Sequence, residues 1–574
     1  MLLLVVPLTL SARPSTATAV SAAQEVIAIL QGDAAPDHLA AGLLYIANFG
    51  HELPDDVKIQ LAALGFDFSR SYVAYMRPVL PYYYDYQNFR IHYDLDGTGP
   101  VPPDDISGVS GVPDYVEIVA QAFAHTDTVI MEELNFTRPP SDQNEGGSNK
   151  YDIYIARQEA GVYAYTIPET EIGDNENSPV EEVNAWSTYI TIRNEWGGFP
   201  NTPLENIRVT AAHEYFHAVQ YGIDAWDADQ ESWLLEATAV LMEEAVYDDI
   251  NDCYQYMRGW FNAPDVALDF YSINSTHKYG SFIYFQYIQE HLGGYATIHR
   301  IFERSIEYDS YYGDYSRQEI TEALEPEGSD FQDALNRMVV ANLVMSASPA
   351  AGEYSYVEAA GYPVSGPRIE ATVNFAPDDW HSIDNTKLNR YASQYYKINT
   401  LVPVLVTLTN LDGPETDLNL IAILQASDGT VVVESGSMLN IQNDWEQINL
   451  AIVSQDTLDR DWDFNLTFQN GFSGPVEIPN DYSVSRPGPN PFFPSSGKVT
   501  FDLIARIPQP IQIRIFNLSG QLVEELQHGH VQFGMHQFVW DGYLSDGRRA
   551  PSGIYFILVS GDRLTYREKI TLIR

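Results

Sequence analysis

The chain has 574 residues, with 31 Lys+Arg against 79 Asp+Glu and a net charge of −48, a field that repels phosphate backbones and anionic lipid and argues against nucleic-acid or membrane-surface binding. At roughly 100–200 residues per domain it is too long for one core. With 45% hydrophobic and 13% aromatic residues it is too apolar for a disordered chain, and its single cysteine, Cys253, rules out an internal disulfide.

In chain order, residues 2–10 form a nearly unbroken apolar run, and Ala17-Thr18-Ala19 follows as a small-residue cleavage signal. This reads as a signal peptide over residues 1–23, too short to span a bilayer, although no Lys or Arg precedes the run. No later segment reaches 18 uninterrupted apolar residues, so no membrane span is expected and the protein is expected to be secreted or at the cell surface. Residues 24–80 carry helical spacing, with Leu43, Leu44, Ile46 and Ala47, then Val57, Leu61 and Leu64. They form a helical N-terminal segment or a propeptide.

Residues 81–350 read as one α+β domain, strands first and helices after. The strands are 89–93, 151–155 and 188–192, with a helix at about 113–134 between the first two, and helices from 206 to about 346. After Pro367 the pattern turns to β: 404–408, 418–424 and 430–433, separated by Asn/Asp/Gly turns, predict a β-sandwich over 366–480. A Pro/Gly/Asn linker then opens a second all-β unit over 485–574, with strands at 499–503, 511–517, 536–540 and 553–558.

The chemistry concentrates at His213-Glu214-Tyr215-Phe216-His217, inside the apolar helical run 207–219. Residues four apart on a helix lie about 40° apart around its axis, so both imidazoles leave one face and can meet one ion. Glu214 is placed to take a proton from a metal-bound water. A zinc site needs a third protein ligand, and Glu236 follows His217 after 18 residues, room for a helix end at Tyr221-Gly222, a loop and a second helix. Glu231 is the competing third ligand, five residues before Glu236. Glu243 lies about 20° from Glu236 on an ideal helix, so it either supports a ligating imidazole or is a solvated carboxylate.

This arrangement resembles the gluzincins, the H-E-x-x-H peptidases with a downstream glutamate ligand. Trp233-Leu234-x-Glu236-x-x-Ala239 looks like the aminopeptidase W-L-x-E-G-x-A signature, with Ala237 where glycine is usual. No G-x-M-E-N-like motif precedes His213, so an endopeptidase is expected over an aminopeptidase. The resemblance implies zinc held by His213, His217 and Glu236, with Glu214 as base and a Tyr or His on a later helix facing the oxyanion. Tyr279 is the first candidate for that role and His277 the second. It also makes strand 188–192 similar to the edge strand on which zincins align an extended peptide.

The stretch from Phe89 to about Gly294 resembles a bacterial family of secreted gluzincin-like proteases, through Phe89-Arg90-Ile91-His92-Tyr93, Gly111-x-Pro113-Asp114-Tyr115-Val116, Tyr151–Ile155 and Thr210–Gln220. The C-terminal motifs Asn490-Pro491-Phe492, Ile515-Phe516-Asn517-Leu518-Ser519-Gly520, Trp540-Asp541-Gly542 and Ser552-Gly553-Ile554-Tyr555 resemble the Ig-like domains of type IX secretion cargo and of flagellar hook-cap proteins. The expected protein is therefore a secreted zinc endopeptidase acting on a protein or peptide, with a sorting domain that meets secretion machinery. Calcium is a candidate structural ion. The rival readings are a non-catalytic surface or adhesion protein with an inactive protease fold, and a zinc aminopeptidase.

Overall fold

The computed structural model describes residues 16–32, 39–70, 72–106, 111–159, 161–227, 231–271, 275–308, 313–377, 379–413, 417–455, 461–471, 482–494, 497–505, 509–518, 521–531, 534–545, 547–561 and 565–574. The chain divides into two compact units, 1–471 and 472–574.

The first unit is built on a five-stranded sheet. Its strands are β3 (Tyr82–Tyr86), β4 (Phe89–Tyr93), β5 (Tyr151–Ala156), β6 (Ala164–Gly173) and β7 (Ala185–Arg193), in the order β3-β4-β5-β7-β6. β4, β5 and β7 run parallel, and β3 and β6 are antiparallel at the two edges. Strand residues alternate between faces. Phe89, Ile91, Ile153, Ile155, Ile190 and Ile192 therefore enter the main core, while Tyr154, Ile167 and Tyr189 enter a separate cluster on the other face.

That other face is covered by α1 (Thr16–Leu30), α2 (Leu39–Phe49), α3 (Asp55–Ala63) and the short pair β1 (Phe66–Asp67) and β2 (Ala74–Tyr75). Of the apolar positions expected over residues 24–80, Leu43, Ile46, Val57 and Leu61 pack here with Ala23 and Val26, whereas Leu44 and Ala47 join the main core. The described part of this segment thus packs mainly on the sheet face turned away from the main core. The apolar run 2–10 lies outside the described residues, and the expected cleavage signal at 17–19 falls in the first turn of α1.

The main-core face carries α4 (Asp114–Thr128), α5 (Pro203–Tyr221) and α6 (Ser232–Tyr247), followed by α7 (Tyr254–Phe261), α8 (His277–Gly280), α9 (Phe282–His291), α10 (Tyr295–Ser305), α11 (Ser316–Leu324) and α12 (Phe331–Val344). The residues from 81 to 350 are thus a mixed α/β region with strands before helices.

The strand expected at 188–192 lies within β7, but not at an edge. β7 pairs with β5 on one side and β6 on the other, and all nine of its residues are buried. The edge belongs to β6, which the alternation pattern did not reveal. Pro168 and two register breaks interrupt its ladder, features that strands tolerate at an edge.

Residues 369–470 form a β-sandwich. One sheet has the order β13-β12-β15-β10-β8 and the other β14-β11-β16-β9. In chain order these are β8 (Ile369–Phe375), β9 (His381–Leu388), β10 (Ser393–Thr400), β11 (Val404–Asn410), β12 (Leu418–Gln425), β13 (Val431–Ser435), β14 (Met438–Ile441), β15 (Gln447–Ser454) and β16 (Trp462–Asn470). Val406, Leu420, Leu450, Trp462 and Phe464 fill the space between the sheets. Tyr395, Ile421, Ile423, Ala451 and Val453 join the main core instead, and Tyr395 donates to the carbonyl of Val339 in α12 at 3.1 Å. The sandwich is therefore fused to the helical region rather than strung beside it.

The second unit is also all β. It contains β17 (Tyr482–Val484), β18 (Val499–Ala505), β19 (Gln509–Asn517), β20 (Leu522–Val531), β21 (Gly534–Trp540), β22 (Gly553–Gly561) and β23 (Thr565–Leu572). They form a three-stranded sheet, β17-β18-β21, and a four-stranded sheet, β20-β19-β22-β23, around Phe492, Phe501, Ile513, Trp540 and Ile557.

Candidate metal centre

Helix α5 is started by a capping box: Glu205 N donates to Thr202 Oγ1 at 3.3 Å, and Thr202 N donates to Glu205 Oε2 at 2.9 Å, with Pro203 at the first helical position. Ala211, Ala212, Tyr215 and Phe216 bury one side of it in the main core. The opposite face presents His213 and His217, with ring centroids 4.7 Å apart. α6 packs beside α5 and brings Glu236.

Three ligand atoms converge. His213 Nε2 and His217 Nε2 are 3.1 Å apart, and Glu236 Oε2 lies 3.3 Å from the first and 3.7 Å from the second. A tetrahedral zinc ion with bonds of about 2.0–2.1 Å separates its ligand atoms by about 3.3 Å, so the triangle has the dimensions of one face of such a site. His213, His217 and Glu236 are the group of this kind found among the described residues. Their side chains retain 16%, 11% and 14% exposure, which leaves the triangle reachable by water, as an open-position site requires.

The outer imidazole nitrogens are both engaged. His213 Nδ1 is 2.7 Å from Glu243 Oε1, and His217 Nδ1 is 2.7 Å from Gln220 Oε1. Gln220 is itself oriented, since its Nε2 donates to Leu235 O at 3.1 Å and to Thr238 Oγ1 at 3.0 Å. With a proton on each Nδ1, both Nε2 atoms turn lone pairs toward the shared point. Glu243 is buried and holds the His213 ring from behind, rather than standing as a solvated carboxylate.

The sequence reading missed Lys278. It is fully buried, and its Nζ donates to Glu236 Oε1 at 3.1 Å while lying 4.7 Å from the ring centres of Tyr271 and Tyr279. Glu236 thus offers one oxygen to the histidines and gives the other to a lysine. Burial raises the Glu236 pKa, but the Lys278 charge and the bonds from His213 and His217 outweigh it and hold the carboxyl well below the ordinary range. Burial lowers the His213 pKa, yet its bonds to Glu236 and Glu243 raise it to about 10. Burial pushes Glu243 up to about 7. Protons therefore compete with any cation for this cluster.

The remaining candidates fall in different places. Glu214 is buried, and its Oε2 lies 2.7 Å from Thr166 Oγ1 of β6, whose hydroxyl is also 2.8 Å from Glu214 O. Nothing in the local sequence marks Thr166, because only sheet pairing brings it there. The Tyr279 ring centroid is 6.1 Å from that of His213, so Tyr279 borders the cluster. His277 does not join it: its Nε2 donates to Ala267 O at 2.9 Å, its ring stacks on Trp260, and burial lowers its pKa to about 4. Glu231 does not join it either. It is fully buried, and its Oε1 accepts from Tyr315 N at 2.6 Å.

A model of the FlgD Ig-like domain matches residues 494–564. No curated protein matches. Among solved structures, PorZ, described as an essential bacterial surface component of the type-IX secretion system of Porphyromonas gingivalis, is 18% identical over 26% of this chain and 22% of its own, with a TM-score of 0.13. A Faecalibacterium prausnitzii β-glucuronidase is 7% identical over 30% of this chain and 37% of its own, with a TM-score of 0.12. Domains 3 and 4 of rat CD4 are 12% identical over 35% of this chain and 99% of theirs, with a TM-score of 0.12. The chain thus spans well under two thirds of the first two. No helix among the described residues is long and apolar enough to cross a membrane. The chain carries a candidate His/His/Glu metal centre, and its FlgD-like Ig domain supports an extracellular or surface-associated bacterial protein.

Proposed function

We propose that the His213–His217–Glu236 cluster holds a zinc ion and that the protein is a secreted endopeptidase. The observation that carries this reading is the convergence of two Nε2 atoms and one carboxylate oxygen, at 3.1, 3.3 and 3.7 Å, with each Nδ1 held from behind. Bound zinc supplies Lewis acidity and an acidified water. The protein's own groups do the rest. Glu243 and Gln220 fix the ring orientations, and Lys278 holds the far oxygen of Glu236. Glu214, steadied by Thr166, takes a proton from the attacking water and returns it to the leaving amine. Tyr279, beside His213, would donate to a developing oxyanion. The FlgD-like domain would serve as the address that secretion machinery reads.

Glu214→Gln should reduce hydrolysis of an unfolded protein substrate by at least about a thousandfold while bound zinc stays unchanged. Chelator should abolish wild-type cleavage and zinc should restore it. Cleavage that survives either treatment would refute the assignment.

A second reading is a non-catalytic surface protein that binds metal without turnover. One observation favours it: the matched family model is an Ig-like module. Stoichiometric zinc without chelator-sensitive cleavage would select this reading.

A further inference from the structure

The C-terminal unit departs from the rest of the chain in charge. Residues 485–574 hold 10 Lys+Arg against 7 Asp+Glu, whereas the remaining residues hold 21 against 72. The sheet β20-β19-β22-β23 turns Ile513, Ile515, Ile557 and Ile570 into the core, so the residues that alternate with them face outward. The cross-strand register sets these outward residues in two rows. Leu522, Phe516, Phe556 and Lys569 form one, and Arg514, Leu558 and Arg567 the other, with Glu525 opposite Arg514.

The first row is apolar where the sheet meets solvent. Leu522 is 53% exposed and Phe556 37%, with Phe516 half-buried between them and exposed Ile554 two residues before Phe556 on β22. Arg567 and Lys569 are exposed, and among the described residues neither they nor Arg514 make an ion pair. The Arg514 guanidinium lies 5.6 Å from the Phe516 ring centre, and its Nε is buried with no acceptor. An apolar patch flanked by unpaired cations sheds water and gains charge contacts when an acidic surface covers it, and Phe and Arg are residue types enriched in protein interfaces.

We infer that this outer face of the β20-β19-β22-β23 sheet docks on an acidic patch of a partner protein in the export machinery. The inference rests on the reading of this unit as the export address. Charge chooses the class of partner. An anionic lipid surface is an extended plane, and it repels the 72 acids carried by the rest of the chain. An acidic patch on a protein is confined to the docked face. Phe516, Phe556 and Leu522 supply the contact that excludes water, and Arg514, Arg567 and Lys569 fix its register.

Full-length variants are expressed in the producing bacterium, and the fraction outside the cell is measured together with the melting of the C-terminal unit. Arg567→Glu with Lys569→Glu should cut export at least about tenfold, and Arg567→Gln with Lys569→Gln should cut it less, because reversal adds repulsion that neutralisation does not. Phe556→Ser should cut export about tenfold with no change of charge, and it decides the matter if the charge variant melts lower. Val539→Ser, at a 38% exposed position of β21 in the other sheet, should be exported like wild type. Trp540→Ala, which removes the centre of the unit's core, separates the two claims: normal export of this variant would sink the address reading itself. Export lost in Trp540→Ala but normal in the Arg567/Lys569 and Phe556 variants would overturn the docking face alone, as would an equal loss in Val539→Ser. Equal losses from the Gln and Glu substitutions would overturn the acidic partner. Co-sedimentation of wild type with vesicles of phosphatidylcholine and phosphatidylglycerol, abolished by Arg567→Glu with Lys569→Glu, would overturn the protein partner in favour of a lipid surface.

Discussion

At the scale of single residues, the centre depends on which atom of each side chain is already spoken for. His213 and Glu236 each have two polar atoms, one turned inward and one bound to Glu243 or Lys278. The histidine spacing, the downstream glutamate and the Glu243 position were all legible, because they follow from helix periodicity. Gln220 was missed, although it stands three residues after His217 on the same helix and its bond to His217 Nδ1 follows from that spacing. Lys278 and Thr166 were not legible, since tertiary packing brings them in and no local pattern marks them. His277 shows the opposite failure: it has the right chemical type and neighbourhood in the sequence, but burial turns it to the Ala267 carbonyl. Its pKa of about 4, against an ordinary 6.5, gives a signed prediction. The unfolded chain takes up this proton first, so the stabilisation is complete above pH 6.5 and is lost as pH falls toward 4. That amounts to about 2 kcal/mol between pH 7 and 5. Denaturant melts of wild type and His277→Gln at the two pH values should differ by that slope, and parallel curves would contradict it.

At the scale of elements, α5 is the piece on which the site stands, and its register is set by the Thr202–Glu205 capping box. Thr202→Ala should cost about 1 kcal/mol in unfolding free energy with little effect on metal binding. A loss within about 0.2 kcal/mol of zero would show that packing alone fixes the helix start. The strands β4, β5 and β7 were readable because alternation and aromatic residues mark them. β6 was hidden by Pro168 and its broken ladder, and the site edge was therefore assigned to its neighbour. Irregular edge strands carry little periodic signal, yet here one supplies the residue that holds Glu214.

At the scale of the molecule, the mixed α/β region and the all-β sheets after it, both legible as a change from helical to alternating pattern, are present in the structure. The pattern did not reveal that one sandwich face is shared: Tyr395, Ile421 and Val453 alternate as ordinary strand residues, and only the tertiary structure shows them entering the helical core. The sandwich should therefore melt together with the metal-bearing region, while the C-terminal unit, with its own core around Trp540, should give a separate transition. Trp540→Ala should cost that unit about 3–5 kcal/mol and move one calorimetric transition without the other. A common shift of both would show that the units unfold as one.

The central claim is that His213, His217 and Glu236 form one metal site, and zinc content by native mass spectrometry tests it most directly. Wild type and Glu231→Gln should each carry about one zinc per chain, and Glu236→Ala should lose most of it. Zinc retained in Glu236→Ala but lost in Glu231→Gln would contradict the account.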